Sequence, residues 1–242
     1  REVGETGFVR AIDSSDEMAS ICKEKVDAAG LKNVEVICGD ATETEGGPWD
    51  AILCAFGLWQ LKDRGAALNA WRKSLSEAGK IGILTWGPVE DDDLFERVGR
   101  CLEHLEPELA SPNPKTFATR EAMAEMFESS ELTMVRHTIV RHTLTFKSAE
   151  AFIDALKESC TWRRIWEDLG EVRVGHIAAR FYGLVGGPDA VLAWNPPATL
   201  AIAGVPGSDI DIASRASVRV PITSTPLPMP AIKDPSRPLP KS

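Results

Sequence analysis

Short β-type runs that alternate with helical spacing constrain this chain most. Phe8-Val9-Arg10-Ala11-Ile12 stops at Asp13, and Val34-Glu35-Val36-Ile37-Cys38 stops at Gly39-Asp40. Asp50-Ala51-Ile52-Leu53-Cys54 stops at Ala55-Phe56-Gly57, and a fourth run spans Lys80 to Trp86. Met18, Ile21, Cys22, Val26 and Ala29 recur at helical spacing and precede Gly30, a natural stop. Ser14 and Glu17 have the spacing of a capping box at the start of that helix. A second helix opens at Asp63, carries Leu68, Trp71 and Leu75, and is predicted to end at Ala78-Gly79. This rhythm predicts an α/β fold with a parallel sheet and helices on both faces. Ligands of such sheets bind beyond the carboxyl ends of the strands. The residues at those ends are Asp13, Asp40, Ala55-Phe56-Gly57 and Trp86-Gly87.

Beyond residue 87 the pattern changes. Thr119–Ser130 reads as a helix with Met123, Met126 and Phe127 inward, and Leu132–Phe146 as a long strand or a bent pair. Residues 148–169 and 171–185 read as helices, and Thr199–Ala203 as a last short strand. A helical insertion therefore precedes the final strand. Ten of the sixteen prolines fall between Pro196 and Ser242. Residues 1–206 are accordingly expected to form one domain, and 207–242 a Pro-rich, disordered tail. That tail also has the composition of a polyproline ligand.

Composition narrows the classes of partner. Apolar residues make up 43% of the 242 and charged residues 26%, which suits a globular protein. The net charge of −9 repels phosphate backbones and argues against nucleic acid. No run approaches the ~20 apolar residues of a membrane span. Five cysteines, at 22, 38, 54, 101 and 160, form no C-x-x-C, and their number is odd. That usage points to a reducing, cytoplasmic setting. The three in apolar segments are expected as buried free thiols. Cys101 and His104 form a C-x-x-H without a second ligand pair, so no metal site is expected.

Asp13 and Asp40 carry the most chemistry. A carboxylate ending the first run can accept hydrogen bonds from both hydroxyls of a ribose. A carboxylate ending the next can accept from an exocyclic adenine amine, with Ala41 offering a small surface and a backbone N–H. Either aspartate alone is as readily a terminator; the ordered pair describes an adenosine seat.

Four segments resemble one family. Gly7 through Met18 and Asn33 through Ala41 are similar to the second- and third-strand regions of class I S-adenosylmethionine-dependent methyltransferases. Trp49 through Leu61 resembles their fourth strand and its loop, and Leu75 through Trp86 their fifth, with Glu-Ala-Gly where the family usually has Pro-Gly-Gly. The resemblance is strongest to the small-molecule methyltransferases of ubiquinone and menaquinone biosynthesis. It implies a Rossmann-like fold, S-adenosylmethionine as cofactor and methyl transfer to a small-molecule acceptor. It places Asp13 and Ser14 at the ribose, Asp40 and Ala41 at the adenine edge, and Ala55 and Phe56 along the methionine arm. Met18 would lie against the adenine or be a plain core residue. Trp59 and Trp86 would stand near the acceptor, though Trp59 is also a natural core residue.

One family element is missing. Nothing here supplies the first strand and its glycine-rich loop; Gly4-Glu5-Thr6-Gly7 matches the short connection before the second strand. The chain is therefore expected to be truncated at its N-terminus. Without that strand the sheet interior would hold two rows of unpaired backbone groups. Each buried, unpaired group costs on the order of 1–3 kcal/mol. A catalytically inactive remnant acting as a binding or scaffold protein is the alternative reading.

Transfer from a sulfonium asks mainly for positioning. A base is needed only where the acceptor must lose a proton. His104, His137 and His142 qualify by residue type, but the two on the β-type run are expected as surface or strand residues. Glu90-Asp91-Asp92-Asp93 follows the fourth run and could face a substrate amine, but an acidic run of this kind reads more readily as a solvated loop. No catalytic residue is assigned. Other chemistries lack their parts. The sole tyrosine, Tyr182, has Gly186 where a short-chain reductase needs lysine. No G-x-S-x-G turn is present, and Gly79-Lys80-Ile81 lacks both the first glycine and the hydroxyl of a P-loop.

Overall fold

The first two β-type runs pair with each other. β1 (Val9–Asp13) and β2 (Val34–Cys38) run parallel, with Val9 opposite Val34 and Asp13 opposite Cys38. They come from a computed structural model that describes residues 3–90, 93–109, 119–159 and 162–207. Helix α1 (Asp16–Ala28) links the two strands. Its N-cap is Ser15, not Ser14: the Ser15 hydroxyl accepts from the Met18 N–H at 3.3 Å. The cap moves by one residue because Asp13 Oδ1 takes the Ser15 N–H at 2.9 Å, which leaves Ser15 in the extended conformation a cap requires. Asp16 and Glu17 then lie in the first turn, where the helix dipole favours negative charge.

β3 (Trp49–Ala55) and β4 (Leu75–Trp86) form the second parallel pair, with Ala55 opposite Leu84. Between them lies α2 (Arg64–Lys73), capped by Asp63 through the Ala66 N–H at 2.8 Å. The helix ends at Lys73, not at Ala78-Gly79. Ser74 closes it by donating to the Ala70 carbonyl at 3.1 Å, and the Ser74 carbonyl already accepts from the Trp49 N–H at 2.8 Å. Leu75 thus enters the sheet beside Trp49. Gly79 allows the approach, since a Cβ there would stand 2.7 Å from the Trp49 carbonyl oxygen.

The remaining elements are α3 (Leu94–Leu105), α4 (Arg120–Glu128), β5 (Thr133–Arg141), β6 (Leu144–Phe146), α5 (Ala149–Lys157), α6 (Trp162–Val185), β7 (Leu192–Trp194) and β8 (Pro197–Gly204). The larger sheet has the order β3-β4-β8-β5, with β8 antiparallel to both neighbours. β6 and β7 form a separate antiparallel pair, so the run 132–146 is indeed a bent pair of strands, serving different sheets. The predicted helix 148–169 is two helices, because α5 stops at Lys157. α6 kinks at Gly170, whose φ of 75° only glycine adopts freely. The helical insertion lies before β8 as expected.

Among the described residues, β1 pairs only with β2, and β3 only with β4. The two sheets meet at their amino-terminal ends. Phe8 stacks on Trp49 at 6.1 Å between centroids, and the Arg10 guanidinium lies 5.4 Å over the same indole. Arg10 also donates to the Glu45 carbonyl. Farther along, Leu53 of β3 is 80% exposed, so that face of the strand is uncovered.

Two cores result. One lies on β4 and β8 beneath α2 and α4, around Leu68, Trp71, Ile81, Ile83 and Phe127. Met123 belongs to it and Met126 packs against it, as the helical spacing predicted. The other joins α3, α5 and α6 around Leu102, Phe152, Trp162 and Phe181. Each fully buried side chain of this size contributes roughly 1.5–3 kcal/mol. Of the cysteines, Cys101 is buried, Cys22 and Cys54 are half-buried and Cys38 is exposed. The expectation of buried thiols fails at Cys38, the last residue of β2, where the strand leaves the sheet. Cys160 and residues 208–242, nearly all of the predicted tail, lie outside the described residues.

Candidate active site

Strand ends bring the predicted residues together in two groups. On the β1–β2 sheet, Asp13 and Ser14 follow one strand and Asp40 and Ala41 the other. Asp13, Ser14 and Asp40 are exposed. Each aspartate organises its own turn with a single oxygen. Asp13 Oδ1 accepts from the Ser15 N–H, while Asp40 Oδ1 accepts from both the N–H and the hydroxyl of Thr42 at 2.8 Å. Those Thr42 bonds hold the Asp40 carboxyl below its ordinary value, so it is ionised at neutral pH. Oδ2 of each aspartate has no protein partner among the described residues and is available to a ligand hydroxyl or amine. The Ala41 carbonyl accepts from Trp71 Nε1 at 2.8 Å, which ties this turn to α2.

Met18 resolves one alternative. It is 52% exposed on the first turn of α1, so it is no core residue. It stands just beyond Asp13, where a flat ligand could cover its thioether.

The second group sits at the ends of β3 and β4. Phe56 has a φ of 54°, a left-handed backbone that costs a non-glycine residue of its size on the order of 1–3 kcal/mol. Two interactions hold it there. Its N–H donates to the Leu84 carbonyl at 2.7 Å, and its ring lies 4.8 Å from that of Trp86. Ala55, immediately before it, is exposed. Burial pushes the Cys54 thiol up, which favours its protonated form.

Beyond Trp86 opens a cavity of about 160 Å³. Trp59, Trp86, Phe95, Trp162 and Trp194 supply rings to its wall, and Asp93 and Glu96 supply carboxylates. Phe95 and Trp194 meet edge to face at 4.6 Å. Trp59 and Trp86, predicted near an acceptor, thus share one cavity. Phe95 was missed in the sequence, and Asp93, expected in a solvated acidic loop, is placed otherwise. It is no solvated loop residue: Oδ1 caps α3 through the Phe95 and Glu96 N–H groups at 2.8 and 3.2 Å, and Oδ2 accepts from Trp194 Nε1 at 2.9 Å. The capping-box spacing of Asp93 and Glu96 was a readable signal. Glu90 is also engaged, by Arg141, which holds its carboxyl below the usual range.

His137 stands on β5 with Nε2 buried and without a partner among the described residues, while His104 and His142 are exposed. None of the three lines the cavity.

Known proteins share part of this sequence and its fold. Residues 1–79 match the model of the methyltransferase domain family. A demethylmenaquinone methyltransferase of Bacillus mycoides is 36% identical over 81 residues, which are 33% of this chain and 34% of that protein. A Bacillus cereus protein of the same name matches to the same extent. The match spans about a third of the length of these curated relatives. A solved structure from Bacillus halodurans, assigned as a methyltransferase, superposes with a TM-score of 0.52 at 10% identity and covers 81% of this chain and 82% of its own. At that identity the likeness is one of fold, and it spans the helical insertion as well as the matched segment. Residues 1–79 are thus similar to the methyltransferase domain family, and the chain as a whole shares that fold. Its Rossmann-like methyltransferase fold accounts for both groups of site residues, since each closes a strand at the sheet's ligand-binding end.

The residues present fit S-adenosylmethionine in part. Two carboxylates, each with an oxygen left over from its own turn, suit the adenosine half, and the exposed Ala55 with the strained Phe56 offers a wall for the rest. The described residues contain no glycine-rich turn after a strand to receive the amino-acid end.

Proposed function

We propose that this chain contributes to S-adenosylmethionine-dependent methyl transfer to a small-molecule acceptor. The observation that carries the reading is the contact of Phe56 with Trp86. It joins the predicted cofactor wall to a cavity large enough for one small ring, on the scale of the ~150 Å³ apolar cavity that takes up benzene. The cofactor, when bound, supplies an activated methyl group on a sulfonium. This chain's residues orient the partners. Asp13 and Ser14 hold the ribose hydroxyls, Met18 covers the adenine, and Asp40 Oδ2 with the Ala41 N–H reads its edge. Ala55 and Phe56 line the methionine arm, and Trp59 and Trp86 hold the acceptor and exclude water. Positioning of this kind is the main requirement of an in-line displacement.

The same reading makes nucleic acid an unfavourable partner, because the chain carries a net charge of −9. No helix among the described residues is long and apolar enough to cross a membrane. A cytoplasmic location rests on the odd number of cysteines without a C-x-x-C.

Calorimetry with S-adenosylhomocysteine tests the proposal. Saturable binding is expected, and Asp13→Ala should weaken it by about 1–3 kcal/mol through lost charge-assisted hydrogen bonds. An affinity unchanged by Asp13→Ala would remove the ribose assignment. No binding at all would favour a remnant that acts as a scaffold.

A further inference from the structure

Trp71 lies on α2, 2% exposed, in the core on β4 and β8. Its polar atom serves a different sheet. Nε1 donates to the Ala41 carbonyl at 2.8 Å, in the turn that follows β2. The peptide that accepts this bond also carries the Thr42 N–H, which donates to Asp40 Oδ1 at 2.8 Å. The Thr42 hydroxyl donates to the same oxygen. Indole N–H, peptide and carboxylate therefore form one chain of hydrogen bonds. A carbonyl that accepts a bond polarises its own peptide and makes the N–H of that peptide a stronger donor.

The bond also crosses between sheets. Among the described residues the β1–β2 pair shares no strand pairing with the sheet that carries Phe56 and Trp86. Trp49 Nε1 donates to the Thr44 carbonyl at 3.2 Å, and the Thr44 and Ser74 hydroxyls bond each other. Those two bonds hold the later part of the same segment, and neither reaches the peptide between Ala41 and Thr42.

We propose that Trp71 is a positioning residue for the adenine edge: through the Ala41–Thr42 peptide it fixes Asp40 Oδ1 and leaves Oδ2 for the exocyclic amine. The proposal rests on the methyl-transfer reading above. Trp71 itself touches no ligand. A carboxylate already held by one oxygen has less freedom to lose when the amine arrives, so the turn is ordered before binding.

The test uses the full chain and two ligands that differ at one position. S-inosylhomocysteine carries an oxygen where S-adenosylhomocysteine carries the amine. Calorimetry should find the adenosyl compound bound about tenfold more tightly, the scale of one charge-assisted hydrogen bond. Trp71→Phe keeps a ring in the core and removes the N–H, and the preference should shrink severalfold. In the same variant the Asp40 carboxyl should titrate closer to its ordinary 3.8 by NMR. A merely structural Trp71 would weaken both ligands alike and leave their ratio and the Asp40 titration as they were, and that result would overturn the proposal. Asp40→Asn on the exposed turn reads the same relay without touching the core. It keeps an acceptor oxygen, removes the charge, and should shift the Trp71 indole N–H resonance at neutral pH; an unmoved resonance would overturn the relay. Equal affinities in the parent protein would take Asp40 away from the adenine, and this role of Trp71 with it. If neither ligand binds, the methyl-transfer reading fails while the resonance still reports the relay.

Discussion

Asp93 joins two parts of the chain a hundred residues apart, and its removal has a calculable cost. One oxygen caps α3 and the other takes the indole N–H of Trp194, which is 6% exposed. Loss of an N-cap costs about 1 kcal/mol, within a range of roughly 0.5–2. An indole N–H left unpaired in a buried position costs a further ~1–3 kcal/mol. Asp93→Ala should therefore destabilise the fold by roughly 2–4 kcal/mol. In a domain of this size each kcal/mol lowers the melting temperature by about 2–4 °C, so a fall of roughly 5–15 °C is expected. Asp93→Asn should lie between the variant and the parent, because one amide oxygen cannot serve both the helix end and Trp194. Urea unfolding followed by circular dichroism and by tryptophan fluorescence measures both. An Asp93→Ala protein within about 0.5 kcal/mol of the parent, the usual scale of a neutral surface change, would refute the reasoning. Asn and Asp of equal stability would show that the Trp194 bond contributes nothing.

Two further outcomes are expected. Thr42→Val removes one of the bonds that depress Asp40, so the Asp40 carboxyl should titrate closer to its ordinary 3.8 in an NMR pH series. Because the folded-state value is depressed, the stabilisation from Asp40 is present above that ordinary value and is lost as pH falls through the depressed one. In Thr42→Val the loss should begin at higher pH. Gly79→Ala places a Cβ 2.7 Å from the Trp49 carbonyl oxygen and 3.0 Å from that of Ser76, both backbone atoms. It should cost about 1–3 kcal/mol by overpacking, read as a lower urea midpoint with an unchanged slope.

The strand ends were legible because they depend on local chemistry. An apolar β-branched run that meets Asp or Gly must stop, and Asp13 and Asp40 do close β1 and β2. The inward face of α4 followed from its helical periodicity. The cap of α1 was misplaced by one residue because Ser14 and Ser15 are equivalent in sequence; the Asp13 bond to the Ser15 N–H decides between them. The end of α2 was misplaced because Ala78-Gly79 looks like a helix stop, whereas Leu75 is already claimed by Trp49 on β3. β7 went unseen because three residues, Leu192–Trp194, carry no period of their own and become a strand only against β6.

By itself the sequence determined the order of the strands and helices up to β4, the resemblance of that segment to methyltransferases, and the residues that stand at the strand ends. Those features arise from neighbours a few residues apart, where sterics and hydrogen bonding leave few choices. Tertiary structure decided the rest. It left β1–β2 and β3–β4 as separate sheets, turned β8 antiparallel between β4 and β5, and forced Phe56 into a left-handed turn beside Trp86. It also brought Asp93 to Trp194 and closed an aromatic cavity from segments as distant as Trp59 and Pro197. Such contacts depend on which buried faces meet, and no local pattern in a single chain encodes that meeting.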